Sequence, residues 1–197
     1  LYLTNSHPAE TVADLVVVII LFQRFDNLGG WTLPEVALLY GLVNMSFALS
    51  EGIARGFDVF PQMVKSGDFD RLLLRPQPTA FQAAASEIQL FRVGRFTQGL
   101  FAAIGAFYFL NLHLTPERLF LLLFAIVGGT CLFSGLFVIQ ATIAFWTIDT
   151  LEIMNALTYG GTEAGEFPLH IYNDWFRRLF TIVVPLACTT YFPALAL

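Results

Sequence analysis

The sequence predicts an all-α polytopic membrane protein of about six transmembrane helices, and three observations carry that prediction. Hydrophobic residues make up 56% of the 197 and charged ones 13%, against roughly 25% charged in an ordinary soluble domain. Four stretches hold no Asp, Glu, Lys or Arg: Val36 to Ser50, Phe96 to Pro116, Leu119 to Ile148 and Leu179 to Leu197. One long polar insertion, Arg55 to Gln82, separates them unequally. With 21 phenylalanines and a mean hydropathy of +0.68, the chain has more apolar surface than one soluble core of this size can hide.

A helix needs about 20 mostly apolar residues to cross the hydrocarbon core, which sets the expected spans in order. The first runs over about 9–25: Pro8 suits a first helical turn, Leu15 to Phe22 are apolar, and Arg24, Asp26 and Gly29-Gly30 end it. Its Asp14 lies near the helix start, where an interfacial position is expected rather than a buried one. The second covers 33–53, the third 88–110 and the fourth 119–147. The charge-free run to Ile148 is about 45 Å long at the helical rise, so this fourth helix must tilt, bend or project. A fifth, 150–162, is short or re-entrant, flanked by Glu152, Glu163 and Glu166. The sixth covers 178–197, with Pro185 expected to kink it by removing a backbone donor. The total is six spans, or five if 150–162 does not cross.

Basic residues set the orientation. Six of the ten Lys and Arg residues fall in the stretch from Arg55 to Arg95 (Arg55, Lys65, Arg71, Arg75, Arg92 and Arg95), which places that stretch in the cytoplasm. Gly161 to Arg178 is then external, against the grain of Arg177 and Arg178. Trp31, Tyr172 and Trp175 are expected at the outer interface and Trp146 at the inner one.

The chemistry-bearing residues are sparse. Cys131 and Cys188 lie in apolar spans and read as packing residues. His7, His113 and His170 are scattered, with no ligand spacing for a metal. No GxxxxGK[ST] phosphate loop and no GxSxG elbow occur. A net charge of -5 names no partner on a membrane chain. Leu1 opens neither a signal peptide nor a methionine start, so further residues are expected before it.

The polar insertion reads RGFDVFPQMVKSGDFDRLLLRPQPTAFQ. Phe57, Phe60 and Val64 recur at helical spacing, giving an amphipathic first part. Ser66-Gly67 breaks it, Asp68 can cap a second short helix, and Arg75-Pro76 and Pro78 end that one. Such a helix either lies in the headgroup layer or inserts into a groove on a partner protein. The mixed charges Asp68, Asp70, Arg71 and Arg75 lean toward protein, because anionic lipid selects for basic residues alone.

The run from Gly56 to Gln82 resembles the signature of the ABC-2-type permeases, in their uncharacterised bacterial exporter branch. So do AFWTIDTLE (Ala144 to Glu152), FPLHIYNDWFRRLF (Phe167 to Phe180) and VVPLACTTYFPA (Val183 to Ala194). The resemblance covers nearly the whole chain, although that family usually opens with an interfacial helix that this sequence does not show. It implies six spans per permease, and a permease subunit of an ATP-driven exporter that itself catalyses nothing and needs no cofactor. It implies a cytoplasmic ATP-binding subunit as partner, a second permease, identical or homologous, and a multi-pass place in the bacterial inner membrane. The coupling helix would lie in segment 55–78, with Phe57, Phe60, Val64, Gly67, Asp68, Asp70, Arg71, Arg75 and Pro76 at the ATPase. Phe167, Pro168, Tyr172 and Trp175 would cap the path externally. The rival readings are an intramembrane lipid-linked transferase and a non-catalytic assembly subunit. Nothing in the sequence points to nucleic acid.

Overall fold

The structure is a computed structural model that describes residues 30–87, 93–111, 113, 115–147 and 151–196. The expected first span, with Asp14, lies outside the described residues.

Helix α1 (Leu33–Asp58) starts where Thr32 and Glu35 cap each other. The Glu35 carboxylate accepts from the Thr32 backbone N–H at 2.6 Å and from its hydroxyl at 2.9 Å, with Pro34 in the first turn. After a one-residue irregularity at Val59 comes α2 (Phe60–Ser66). The two form one rod of 34 residues from Leu33 to Ser66, about 51 Å at the helical rise. The expected boundary near Ile53 is therefore absent. Nothing there breaks a helix, and the rod outruns the roughly 30 Å hydrocarbon core, so its end projects.

Gly67, at φ 80°, stops α2 in the left-handed conformation that only glycine adopts at no cost. Helix α3 (Asp68–Leu73) follows. After the turn through Pro76 and Pro78 comes α4 (Thr79–Ala84). Both breaks fall where the sequence places them.

Helix α5 (Val93–Phe109) and helix α6 (Pro116–Ile143) occupy the next two charge-free runs. Helix α5 packs tightly on α1, because a β-carbon on Gly41 would stand 2.7 Å from the Gly99 carbonyl oxygen. Helix α6 runs parallel to α1. Its Thr130 hydroxyl reaches the Ser46 carbonyl at 3.3 Å, Ser134 meets Ser50 at 3.0 Å, and Gln140 meets Asp58 at 3.1 Å. The apolar stretch of the rod is 78% buried inside the chain and that of α6 only 28%, so α1 is the axis of the bundle and α6 faces outward. Cys131 and Cys188, expected as packing residues, are exposed; each sits on the outward face of its helix.

Phe47 lies at the centre of the core. Phe133 and Tyr159 meet its ring edge-on at 5.0 and 5.4 Å, and Phe137 lies at 6.0 Å, geometries that aromatic rings favour.

Helix α7 (Leu151–Gly165) leads into a 3₁₀ turn (Leu169–Ile171), α8 (Asp174–Arg178) and a π-helical turn (Leu179–Val183). Then come α9 (Leu186–Thr189) and α10 (Tyr191–Ala196). The last expected span is thus a broken pair, bent by 68° between Val183 and Leu186, with Pro185 in the break as anticipated. Trp31, just before α1, stacks on His170 at 6.4 Å and on Tyr191 at 5.4 Å. Both ends of the stretch 170–191 therefore sit at the start of α1. Among the described residues two helices are long and apolar enough to cross a membrane, or three if the bent pair is one span.

Candidate functional site

The polar insertion folds as short helices against the far end of the rod, and its aromatic residues anchor it there. Phe60 is 4% exposed. Its ring meets Phe69 at 5.1 Å and Phe145 at 5.3 Å, and those two meet each other at 5.3 Å. Ala83 and Ala141 close this cluster, with Phe57 and Val64 half-buried beside it. The expectation that Phe57, Phe60 and Val64 present a free apolar face to a partner is therefore corrected for Phe60. The end of α6 offers it an apolar wall within the same chain, and burial there is favourable.

What the insertion leaves outside is polar, with an apolar tip. Lys65, Gly67, Asp68, Asp70, Arg71, Arg75 and Pro76 are exposed, as are Leu73 and, at 86%, Leu74. Arg71 pairs with Asp68 at 3.6 Å, and the Ser66 hydroxyl donates to Asp68 at 2.7 Å. The Gln82 amide, buried, donates to the carbonyls of Leu72 and Gln77 at 3.3 and 2.8 Å, which closes the turn between α3 and α4.

Two polar knots lie along α1. At its last turn the Asp58 carboxylate gathers three helices. Oδ2 accepts from Arg55 Nη1 at 2.6 Å and from the Tyr159 hydroxyl at 3.0 Å, while Oδ1 accepts from Gln140 at 3.1 Å. Arg55 also donates to the Tyr159 oxygen at 2.5 Å and to Glu51 at 3.4 Å. Nearer the middle of α1, Asn44 donates to the Glu166 carboxylate at 2.8 Å and accepts from Arg95 Nε at 2.7 Å. The Arg95 guanidinium lies 4.8 Å from the centre of the Phe47 ring, within cation–π range.

By the distribution of basic residues, Arg95 is expected as a cytoplasmic cation and Glu166 as an external acid. Instead they meet through Asn44 inside the bundle, each an ionic group hydrogen-bonded to the same amide. Sequence reasoning passed over Asn44, Asp58, Arg95, Gln140, Tyr159 and Glu166 as functional residues. The available signal was a neutral amide alone in each of two charge-free runs, Asn44 and Gln140, with ionic groups at the ends of neighbouring runs.

Beyond Glu166, Phe167 is half-buried, Pro168 and Leu169 are buried, and Trp175 is 73% exposed. Tyr172 stacks on Phe176 at 4.7 Å, and Phe176 on Phe180 at 4.7 Å. Burial, followed by the Glu166 and Glu163 carboxylates, pushes the Tyr172 phenol above its ordinary range.

An all-helical bundle with, among the described residues, two helices long and apolar enough to cross a membrane, or three if the bent pair is one span, fits a membrane protein. A family model described as ABC-2 family transporter protein matches residues 9–197, and the chain belongs to that family. No curated protein and no solved structure matches it.

Proposed function

We propose that this chain is the permease subunit of an ATP-driven exporter in the bacterial inner membrane. It pairs with a second permease, lines the translocation path, and couples to a separate cytoplasmic ATP-binding subunit. The observation that carries the reading is the segment from Asp68 to Ala84, fixed through Phe69 to Phe60 at the end of a continuous rod. Anchored that way, the exposed Asp68, Asp70, Arg71 and Arg75 with the Leu73-Leu74 tip form the docking surface, and Gly67 and Pro76 shape it. Phe57, Phe60 and Val64 hold the element in place behind that surface. At the other end, Phe167, Pro168, Tyr172 and Trp175 cap the path.

An intramembrane transferase would need interior polar groups open to substrate. Asn44 and Glu166, at 1% and 2% exposure, are instead bonded to each other. The test is copurification. Replacing Asp70 and Arg71 by Ala touches no buried position, so the protein should still insert. Losing charges that pair across a docked interface costs about 2–5 kcal/mol, so ATPase recovery should fall sharply. Equal recovery and equal hydrolysis in mutant and wild type would move the docking surface elsewhere.

A further inference from the structure

We infer that α7 is the strut that carries motion of the docking element to the external cap, with Tyr159 and Glu166 as its positioning residues; this rests on the permease reading above. Helix α7 is tied to α1 twice. Tyr159 binds Asp58 and Arg55, and Glu166, one residue past the helix end, binds Asn44. Tyr159 and Glu166 are about two turns apart, on one face. Asn44 and Asp58 are about four turns apart on α1, again on one face. The Thr158 and Thr162 hydroxyls do not share this role: they bond back to carbonyls of their own helix, Met154 and Thr158, at 3.0 and 2.9 Å.

The position of Asp58 makes the lower tie a joint. It is the last residue of α1, and α2 begins at Phe60, so the carboxylate sits at the joint between α1 and the last turns of the rod, which carry the docking element. Its two oxygens hold α6 through Gln140 and α7 through Tyr159. Displacing the docking element must move Asp58, and with it α7. At the upper tie the chain leaves Glu166 directly for Phe167, Pro168 and Tyr172, so displacement of α7 arrives in the cap. The lower knot also holds unused bonding capacity. Among the described residues Arg55 Nε and Gln140 Oε1 are buried without a partner, a spare donor and a spare acceptor in one cluster. Hydrogen-bond networks joined to rigid helices carry energetic coupling over such distances, and buried hydrogen bonds stiffen the path.

The experiment uses the permease–ATPase complex in lipid nanodiscs. Trp175→Cys carries a spin label after Cys131→Ala and Cys188→Ala, and label-to-label distance between the two permeases is read with and without ATP plus vanadate. Wild type should shift on trapping. Tyr159→Phe keeps the ring against Phe47 and loses only the hydroxyl. It should hydrolyse ATP within about twofold of wild type while the shifted population falls about tenfold, the scale of one or two buried hydrogen bonds. Glu166→Leu should do the same, and Glu166→Gln, whose amide oxygen still accepts from Asn44, should restore the shift. Tyr108→Phe, on an exposed tyrosine of α5, serves as the control. A wild-type shift in both Tyr159→Phe and Glu166→Leu overturns the strut. Failure of any ATPase to copurify overturns the permease reading itself, and the strut with it.

Discussion

Gly56 lies so close to Ala83 that a β-carbon placed on it would stand 1.8 Å from the Ala83 carbonyl oxygen. The end of α1 and the end of α4 touch backbone to backbone there. Gly56→Ala must push α4 away, because the obstacle is main chain and cannot rotate aside. Overpacking of this kind costs about 1–3 kcal/mol. The expected result is faster tryptic cleavage after Arg71 with the bundle intact. Cleavage at the wild-type rate would mean that α4 yields freely. Gly52, one turn earlier, faces open space, so Gly52→Ala should leave cleavage unchanged.

The Leu73-Leu74 tip gives a second prediction. Leu74 is 86% exposed and Leu73 56%, so replacing both by Ser removes no core contact. Thermal stability in detergent should hold within about 0.5 kcal/mol, while ATPase recovery falls severalfold. A loss of stability would show that the tip packs within the chain.

Some of this architecture was legible in the sequence and some was not, for reasons visible in particular residues. The breaks at Gly67, at Pro76 to Pro78 and at Pro185 were readable because glycine and proline act through their own backbone. The charge-free runs revealed α5 and α6 because lipid selects for apolar composition without regard to partners. Phe60 was misjudged because its neighbours Ala141 and Phe145 lie some eighty residues along the chain. Local periodicity reports that a face is apolar and not what covers it. The Asn44 relay was missed for a similar reason: its two partners stand at the ends of other runs, where ionic residues look like loop residues. The bend at Pro185 was foreseen, but the return of Tyr191 to Trp31 is purely a tertiary fact.

Phe47 should dominate the stability of the bundle. It is fully buried against Phe133, Phe137 and Tyr159, and Phe47→Ala leaves a cavity costing about 3–5 kcal/mol. It also strips the aromatic face beneath Arg95. Thermal unfolding in detergent should fall by many degrees, whereas Phe120→Ala, on the exposed face of α6, should change it little. Similar midpoints for the two variants would contradict the core assignment.

Alkaline pH offers a test of the cap. The Tyr172 phenol is held above its ordinary value of about 10 by burial and then by Glu166 and Glu163. A group whose folded value is raised contributes stability that is fully present below the unfolded value and is lost as pH climbs through the folded one. The cap should therefore loosen above about pH 10, read as fluorescence change of Trp175. Tyr172→Phe, which has no proton to lose, should flatten that limb. An unchanged alkaline limb in Tyr172→Phe would assign the transition to another group.

The polar residues of α1 also constrain how the protein is made. This helix is synthesised ahead of every other described one, yet the partners of its interior groups come later. Arg95 follows Asn44 by 51 residues and Glu166 follows it by 122, while Gln140 and Tyr159 follow Asp58 by 82 and 101. Until they emerge, Asn44 and the Glu51, Arg55 and Asp58 group have only the partners that α1 itself supplies, which a lipid-exposed helix tolerates poorly. Helix α6, apolar on its outer face, can leave the insertion channel alone. Helix α1 has reason to linger beside it until α7 arrives, so ribosomes stalled before Tyr159 should leave α1 within crosslinking reach of the channel.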